Sequence, residues 1–308
     1  MTAGLQGGRL NIVLTDRDIR LLALLARVRY ITLTQAACLL YGRCDDCIIP
    51  LDRARDSLKH RIAQLVNAGY LEKGITRYED KLNTRAYFLG PAGAKAVQEL
   101  SLIEQMEVPG WLSRKQNAAW NCSAHDLMVN NFLFNLMLLD RAIPGFQLID
   151  WKTTHDLKYY VRGGDKPLVF DPDLFILFVN EGFGPVPLFL ELDNGNISAN
   201  IARRKVMRVF QYYETGHWRN DLGIEYFPRL AFLVPDENRI VFFKRAISWA
   251  RRAYRGSSKL QVQRLTFYLA TFRKVDLYAL DRGEAGDKVL SKCWQTSDVN
   301  KSTSPFLK

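Results

Sequence analysis

The chain has 308 residues, and its 43 lysines and arginines outnumber 32 acidic residues, which gives a net charge of +11. A hydrophobic content of 48% is enough for two cores. No apolar run approaches the roughly twenty residues that span a bilayer, and no signal-peptide pattern opens the chain, so we expect a cytoplasmic protein with no membrane partner. The basic balance favours a polyanionic partner.

The first third of the chain has the pattern of helices followed by a β-hairpin. Capping residues, helical spacing and turn chemistry predict the elements in this order: a helix capped by Thr15-Asp16-Arg17-Asp18, a helix from Thr32 or Thr34 to about Tyr41, a helix from Leu51 to Ala68, strands from Tyr70 to Tyr78 and from Thr84 to Leu89, and a helix from Pro91 to about Leu100. Three helices and a hairpin are typical of a winged helix-turn-helix domain.

The third helix would face DNA. Its predicted buried stripe is Leu51, Ala54, Leu58, Ile62 and Leu65. Basic residues on its other face and on the wing are the candidate contacts with the major groove and with phosphates, and these are Arg53, Arg55 and Lys59, with His60 beside them, and Arg77, Lys81 and Arg85. Because Asp52 and Asp56 lie on the same helix, a solvated face of a protein-binding domain is the alternative.

Five cysteines without regular spacing favour a reducing compartment over a disulfide framework. Cys44-Asp45-Asp46-Cys47, with Cys38 before it, either forms part of a zinc site or simply packs in a turn. No second CxxC or HxxxH motif completes four ligands.

A second domain begins near Ser123-Ala124-His125-Asp126, a capping box that predicts an apolar helix from Leu127 to Leu139. A strand from about Phe146 to Trp151 follows, and His155 comes soon after it. His125 and His155 are candidate supporting residues for a site. The alternative for His125 is that it packs at the helix start and bonds to the backbone.

Carboxylates embedded in strand-like segments are the strongest functional signal. Residues 169–179 and 186–193 predict two antiparallel strands joined by the Gly/Pro-rich segment 180–185. Asp173 and Glu191 lie almost equally far from that loop, so we expect them to be cross-strand neighbours. Asp193 follows Glu191 on the same predicted face. Buried carboxylates need a partner, and the three predict a site for Mg²⁺ or Mn²⁺.

A predicted helix from Ser198 to about Thr215, ended by Gly216, brings a lysine to the same place. Lys205 shares its sheet-facing stripe with Ile201 and Val209, whereas Arg204 and Arg208 form a more exposed row. The ammonium of Lys205 either pairs with a carboxylate or phosphate or extends along the helix into water.

These residues resemble the PD-(D/E)xK nuclease superfamily, whose core is a helix, three antiparallel strands, a helix and a strand. Pro172-Asp173 matches the PD element and Glu191-Leu192-Asp193 matches the (D/E)xK element, except that Asp193 stands where the family has lysine. The resemblance implies catalytic roles for Asp173, Glu191 and Lys205, with Lys205 supplying the missing cation from the next helix. A strand from Arg229 to Pro235 would complete the core.

The order of these features also resembles the replication-relaxation family of plasmids and other mobile elements, over most of residues 12–235. The fold class predicted is α+β, a winged helix-turn-helix followed by a PD-(D/E)xK restriction-endonuclease-like α/β core. The predicted division is a flexible tail at 1–10, the winged helix at 11–105, the nuclease-like domain at 118–275 and a polar tail at 276–308.

The resulting hypothesis is a mobile-element protein that binds double-stranded DNA and nicks or cleaves it with a bound Mg²⁺ or Mn²⁺. Other replication or mobilisation proteins and a second copy of the chain are further candidate partners. The alternative is a non-catalytic replication initiator or transcriptional regulator with a degenerate nuclease fold. The basic amphipathic stretch from Arg239 to Arg255 either follows a DNA backbone or covers the sheet with a solvated face.

Overall fold

The computed structural model describes residues 12–41, 51–78, 81–104, 123–154, 156–157, 159–163, 166–181, 184–282, 287–297 and 302–306. Helices and strands are mixed along the chain, which confirms the predicted α+β class. The chain divides into two compact units, Met1–Asn130 and Asn131–Lys308.

The first unit has the predicted order of helices and strands, with one short strand added. Its elements are α1 (Asp16–Val28), β1 (Ile31–Thr32), α2 (Leu33–Tyr41), α3 (Leu51–Asn67), β2 (Leu71–Tyr78), β3 (Lys81–Leu89) and α4 (Pro91–Glu104). The three strands form an antiparallel sheet in the order β1-β3-β2. The capping box at the start of α1 is present, since Asp18 N donates to Thr15 Oγ1 and Thr15 N donates to the Asp18 carboxylate.

The buried stripe of α3 is confirmed where its side chains are described. Ala54, Leu58, Ile62 and Leu65 are buried. Arg61 lies beside that stripe and binds the Asp18 carboxylate, with its Nη2 2.7 Å from Asp18 Oδ2. This bond ties α3 to the start of α1.

Helix α5 (Ala124–Ala142) is the helix predicted from the Ser123 capping signal, and the second unit begins within it, at Asn131. The division between the units falls inside α5, whereas the predicted domain limits were 105 and 118. The first turns of α5 belong to the first unit because Asn130 Nδ2 donates to the carbonyl oxygens of Val28 and Tyr30.

A seven-stranded sheet, in the order β12-β11-β10-β9-β8-β7-β4, is the centre of the second unit. Its elements are β4 (Gln147–Thr153), β5 (Tyr159–Gly163), β6 (Lys166–Phe170), β7 (Leu174–Val179), β8 (Val186–Leu192), α6 (Ala199–Thr215), α7 (Trp218–Leu222), β9 (Arg229–Val234), α8 (Glu237–Ala253), α9 (Lys259–Gln263), β10 (Phe267–Thr271), two 3-10 turns at Ala279–Arg282 and Asp287–Leu290, β11 (Trp294–Thr296) and β12 (Ser302–Thr303). Strands β4, β7 and β8 are antiparallel neighbours, and β8, β9 and β10 are parallel neighbours.

The single strand predicted for residues 169–179 is wrong. Residues up to Phe170 belong to β6, which pairs with β5 in a separate two-stranded sheet, and a new strand, β7, begins at Leu174. Pro172 lies between the two strands, and its lack of an N–H prevents a continuous hydrogen-bond ladder. The break leaves Asp171 and Asp173 at the junction of two sheets.

Residues 276–308 were predicted to form a polar tail, but the described part of this segment forms strands and buried contacts. Strands β11 and β12 extend the sheet beyond β10, and Trp294 and Phe306 are buried. The Phe306 ring centroid lies 5.0 Å from that of Phe178 on β7. These strands have three and two residues, too few for an alternating pattern to be recognised against a polar background.

Among the described residues, every helix is too short or too polar to span a bilayer.

Candidate functional site

Asp173 and Glu191 lie opposite each other at the ends of two neighbouring strands, as the loop spacing predicted. The register of β7 and β8 pairs Leu174 with Leu190. One more step of that register places Asp173 opposite Glu191. Asp173 N donates to Leu190 O at 3.1 Å, and Leu192 N donates to Asp173 Oδ2 at 2.7 Å. The Asp173 carboxylate is therefore fixed against the strand that carries Glu191.

Lys205 reaches this pair of carboxylates from α6. Ser198 caps that helix through a bond from Ile201 N, and Ala202, Val206 and Val209 bury its inner face against the core. This packing directs Lys205 back to the sheet, where its Nζ donates to Glu191 Oε2 in an ion pair. The ammonium thus contacts a carboxylate, and the alternative that it merely extends into solvent is wrong.

Asp171 is a third acidic residue near the pair. It is exposed, and its Oδ1 lies 3.7 Å from Nη1 of Arg208, one turn after Lys205 on α6. Asp171 acts electrostatically on both Glu191 and Lys205. The carboxylates near Glu191 are therefore Asp173 and Asp171. The sequence analysis did not include Asp171 among the site residues, although it lies two residues before Asp173.

Burial determines the protonation of the site. The side chain of Glu191 is only 12% exposed, and this burial raises its pKa. Lys205 lowers the pKa and the carboxylate of Asp173 raises it again, so that the pKa of Glu191 is about 8. Burial and Asp173 therefore make Glu191 accept a proton more readily than an ordinary glutamate does, and Lys205 opposes that effect.

The same surroundings favour the charged form of Lys205. Burial lowers the pKa of Lys205, but attraction to the carboxylates of Glu191 and Asp173 outweighs that effect and raises the pKa overall. Lys205 is thus a permanent cation at the site at any physiological pH.

Asp193, which the sequence placed with Asp173 and Glu191, has a different partner. Strand β8 ends at Leu192, and Asp193 N continues the pairing with β9 by donating to Leu233 O. The buried Asp193 carboxylate accepts two bonds from Arg239, in the first turn of α8: one from Nε, and one from Nη2 at 3.2 Å. The expectation that Asp193 joins the other two carboxylates is wrong because Arg239 engages the Asp193 carboxylate.

The donor chemistry of Asp173 and Glu191 fits a hard cation, whereas Asp193 is committed to its arginine. Mg²⁺ in proteins is commonly held by one or two carboxylates together with waters and substrate phosphates. Over the described ranges, no group of three or more His, Cys, Asp and Glu side chains is arranged as metal ligands.

The basic residues predicted to bind DNA are exposed where they are described. Arg53, Arg55 and Lys59 are exposed on α3, with His60 beside them, and Arg85 is exposed on β3. Arg55 Nη1 lies 3.8 Å from Asp52 Oδ1, an exposed pair that restrains it little. The side chains of Arg77 and Lys81 lie outside the described residues, as does the turn at 79–80.

The remaining candidate residues are two histidines and the cysteines. His125 Nδ1 lies 3.7 Å from Asp126 Oδ1 in the first turn of α5. His155, Cys44 and Cys47 lie outside the described residues, and Cys38 is buried in α2.

Comparison with known proteins gives one match. A family model described as replication-relaxation matches residues 22–226, a segment that includes α3 and all of Asp173, Glu191 and Lys205. No curated protein matches the chain, and no solved structure matches it. Because the matched segment is well over half of the 308 residues, the chain belongs to the replication-relaxation family.

Proposed function

We propose that this protein acts on the DNA of a plasmid or other mobile element, binding duplex DNA through its first unit and hydrolysing a phosphodiester bond at Asp173, Glu191 and Lys205. Membership of the replication-relaxation family suggests a part in replication or relaxation. The observation that carries the proposal is the contact between Lys205 and Glu191. It supplies a cation at a site where Asp193 occupies the position of the lysine in the (D/E)xK motif.

The order of elements in the first unit supports a winged helix. Three helices precede the β2–β3 hairpin, and β1 pairs with β3 at the edge of that hairpin. In such domains the third helix enters the major groove. Arg53 and Lys59 on α3 are exposed and can reach phosphates, and Arg85 is exposed on the wing strand.

The order of elements in the second unit supports a nuclease-type core. Helix α5, the antiparallel strands β4, β7 and β8, helix α6 and strand β9 follow the helix, three strands, helix and strand of the PD-(D/E)xK fold. Asp173 lies at the PD position before β7, and Glu191 lies near the end of β8.

The chemistry follows from the charges of the three side chains. Asp173 and Glu191 would hold Mg²⁺ or Mn²⁺, which when bound supplies Lewis-acid polarisation of the phosphodiester and activation of water. Glu191 must lose its proton to serve as a ligand, and its pKa of about 8 makes that loss more complete at mildly alkaline pH. Lys205, freed from Glu191, would stabilise charge on the phosphoryl oxygens.

The test is cleavage of supercoiled plasmid by the full chain with Mn²⁺. Nicking should disappear in Glu191→Gln, which keeps the size of the side chain and removes its charge. It should persist in the matched control Glu225→Gln, because Glu225 is exposed and precedes the amino end of β9, whereas Glu191 lies near the carboxyl end of the parallel strand β8. Equal cleavage by both variants would contradict the assignment of the site.

A second candidate function is a non-catalytic initiator or regulator, in which the same fold is a scaffold. It is favoured by the engagement of the acidic residues by internal cations, Glu191 by Lys205 and Asp193 by Arg239. In that case duplex binding would not depend on Mn²⁺, and no strand break would appear at any concentration of the ion.

Binding of duplex DNA is tested separately from cleavage. Arg53→Ala/Lys59→Ala should weaken duplex binding and should make the slope of log K against log salt shallower by about 2, since each phosphate contact contributes about 0.9. The control Arg20→Ala/Lys95→Ala removes the same charge from exposed positions outside α3. Similar losses in both double variants would indicate bulk electrostatics in place of a defined contact surface.

A further inference from the structure

Helices α6 and α8 pack beside each other. The side of each helix that faces solvent is rich in arginine. Their inner faces bury apolar residues such as Val206 and Ile247. We call the opposite side the outer face; its members are exposed or half-buried and are Arg203, Arg204, Arg245, Trp249 and Arg252.

The outer face carries charge of one sign. Both helices are fully described, and their only acidic residues are Glu214 and Glu237. Each of these is engaged elsewhere. Glu214 Oε1 accepts a bond from Ser257 Oγ at 2.6 Å, and Glu237 Oε1 lies 2.6 Å from Lys274 Nζ. Nothing on either helix therefore neutralises the arginines of the outer face.

The outer face continues from one helix to the other, and further cations of α6 lie beside the carboxylates. The guanidinium carbon of Arg203 on α6 lies 5.0 Å from the ring centroid of Trp249 on α8. At the other side of α6, Arg208 approaches Asp171 and Lys205 binds Glu191. A polymer lying across α8 and α6 would thus be led to the Asp173 and Glu191 pair.

Trp249 distinguishes between the polyanions that could lie there. Trp249 is 38% exposed although its side chain is large and hydrophobic. In duplex DNA the bases are stacked inside the helix, whereas an unpaired base can stack on an exposed aromatic ring while arginines contact the adjoining phosphates. An exposed aromatic ring among arginines that no acidic residue of either helix neutralises is suited to a single strand.

We propose that the outer face of α6 and α8 binds single-stranded DNA and delivers it to the carboxylate site. The proposal rests on the proposed function only in taking DNA as the polymer. Its chemistry is independent of the metal and of cleavage, because the contacts are arginine to phosphate and indole to base. The partner is therefore an unpaired DNA segment of any sequence.

The test is binding of a fluorescein-labelled twenty-nucleotide oligo(dT) to the full chain in EDTA, followed by anisotropy. Arg204→Ala/Arg245→Ala/Arg252→Ala should bind about tenfold or more weakly, and its salt slope should be shallower by about 2, since each phosphate contact on a single strand contributes about 0.7. The matched control Arg264→Ala/Arg273→Ala/Lys292→Ala removes three exposed charges elsewhere in the unit and should stay within about twofold of the parent.

Stacking is tested at Trp249 alone. Trp249→Ala should bind oligo(dT) about tenfold more weakly, and Trp249→Phe should recover most of that loss because a ring remains for stacking. Equal weakening by Ala and Phe would overturn the assignment of Trp249. Equal weakening by the outer-face and control triple variants would overturn the assignment of the face.

Duplex DNA of the same length separates this proposal from the proposed function. Arg53→Ala/Lys59→Ala should lose duplex binding and keep oligo(dT) binding, and the outer-face triple variant should do the reverse. If the parent neither binds duplex nor nicks plasmid, the oligo(dT) result still stands by itself. An outer-face variant that loses only duplex binding would overturn the single-strand proposal.

Discussion

Replacing Lys205 by methionine should destabilise the protein in a way that depends on pH. The side chain of methionine fills similar space without charge, so Glu191 would remain buried beside Asp173 with no opposing cation. Lys205 lowers the pKa of Glu191, and its loss must therefore move that pKa above about 8.

The sign follows from linkage. The pKa of Glu191 is higher in the folded protein than its ordinary value of 4.5, so its contribution to stability is complete below that value and is lost as the pH rises through about 8. In the parent that loss ends near pH 8. In Lys205→Met it continues, and the destabilisation should grow by up to about 1 kcal/mol for each pH unit above 8.

Urea unfolding at pH 7 and pH 9, followed by far-UV circular dichroism, measures the effect. We expect the difference in unfolding free energy between Lys205→Met and the parent to be larger at pH 9 by about 1 kcal/mol. Arg204→Met is the matched control, since Arg204 is the exposed neighbour on the same helix. A difference for Lys205→Met that stays constant between the two pH values would refute the coupling of Lys205 to Glu191.

Two further changes test contacts away from Asp173 and Glu191. Arg239→Ala leaves the buried Asp193 carboxylate without its partner and should cost about 3 kcal/mol in urea unfolding, with Arg239→Lys recovering part of that cost; no loss would show that the pair is not formed. Gly93→Ala should destabilise by about 2 kcal/mol or more, although alanine normally favours a helix, because its Cβ would lie 2.1 Å from Tyr70 O. Gly184→Ala is the control, since a Cβ there meets nothing within 4 Å, and similar melting temperatures for both glycine variants would contradict the packing.

The sequence predicted the structure correctly where the deciding interactions lie close together along the chain. The spacing of Asp173 and Glu191 from their common loop was enough to place them opposite each other, because an antiparallel register is fixed by its turn. Helical spacing predicted a sheet-facing stripe of Ile201, Lys205 and Val209. Val209 is buried and Lys205 binds Glu191, but Ile201 is exposed, so that part of the prediction is wrong. Caps at Thr15 and Ser198 located the starts of α1 and α6.

The wrong predictions concern residues whose partners are distant in the sequence. Alternation predicted that Asp193 would lie on the same face as Glu191. Strand β8 ends at Leu192, however, and no property of residues 191–193 indicates an arginine 46 residues later. The strand before Asp171 belongs to a different sheet, which only the pairing of β5 with β6 determines. The burial of Trp294 and Phe306 was not predicted, because strands of two or three residues are too short to show an alternating pattern in a polar segment.

One arrangement accounts for both the aspartate at position 193 and the contact of Lys205 with Glu191. Arg239 binds Asp193 and also donates from Nη2 to Ile197 O at 2.7 Å, so it holds both ends of the turn that joins β8 to α6. Ser198 caps α6 directly after that turn, and Lys205 lies two turns further along, where its ammonium meets Glu191. An aspartate at position 193 therefore has a structural use that a lysine would not have: it anchors Arg239, and through the turn it positions the helix that returns a cation to the carboxylates.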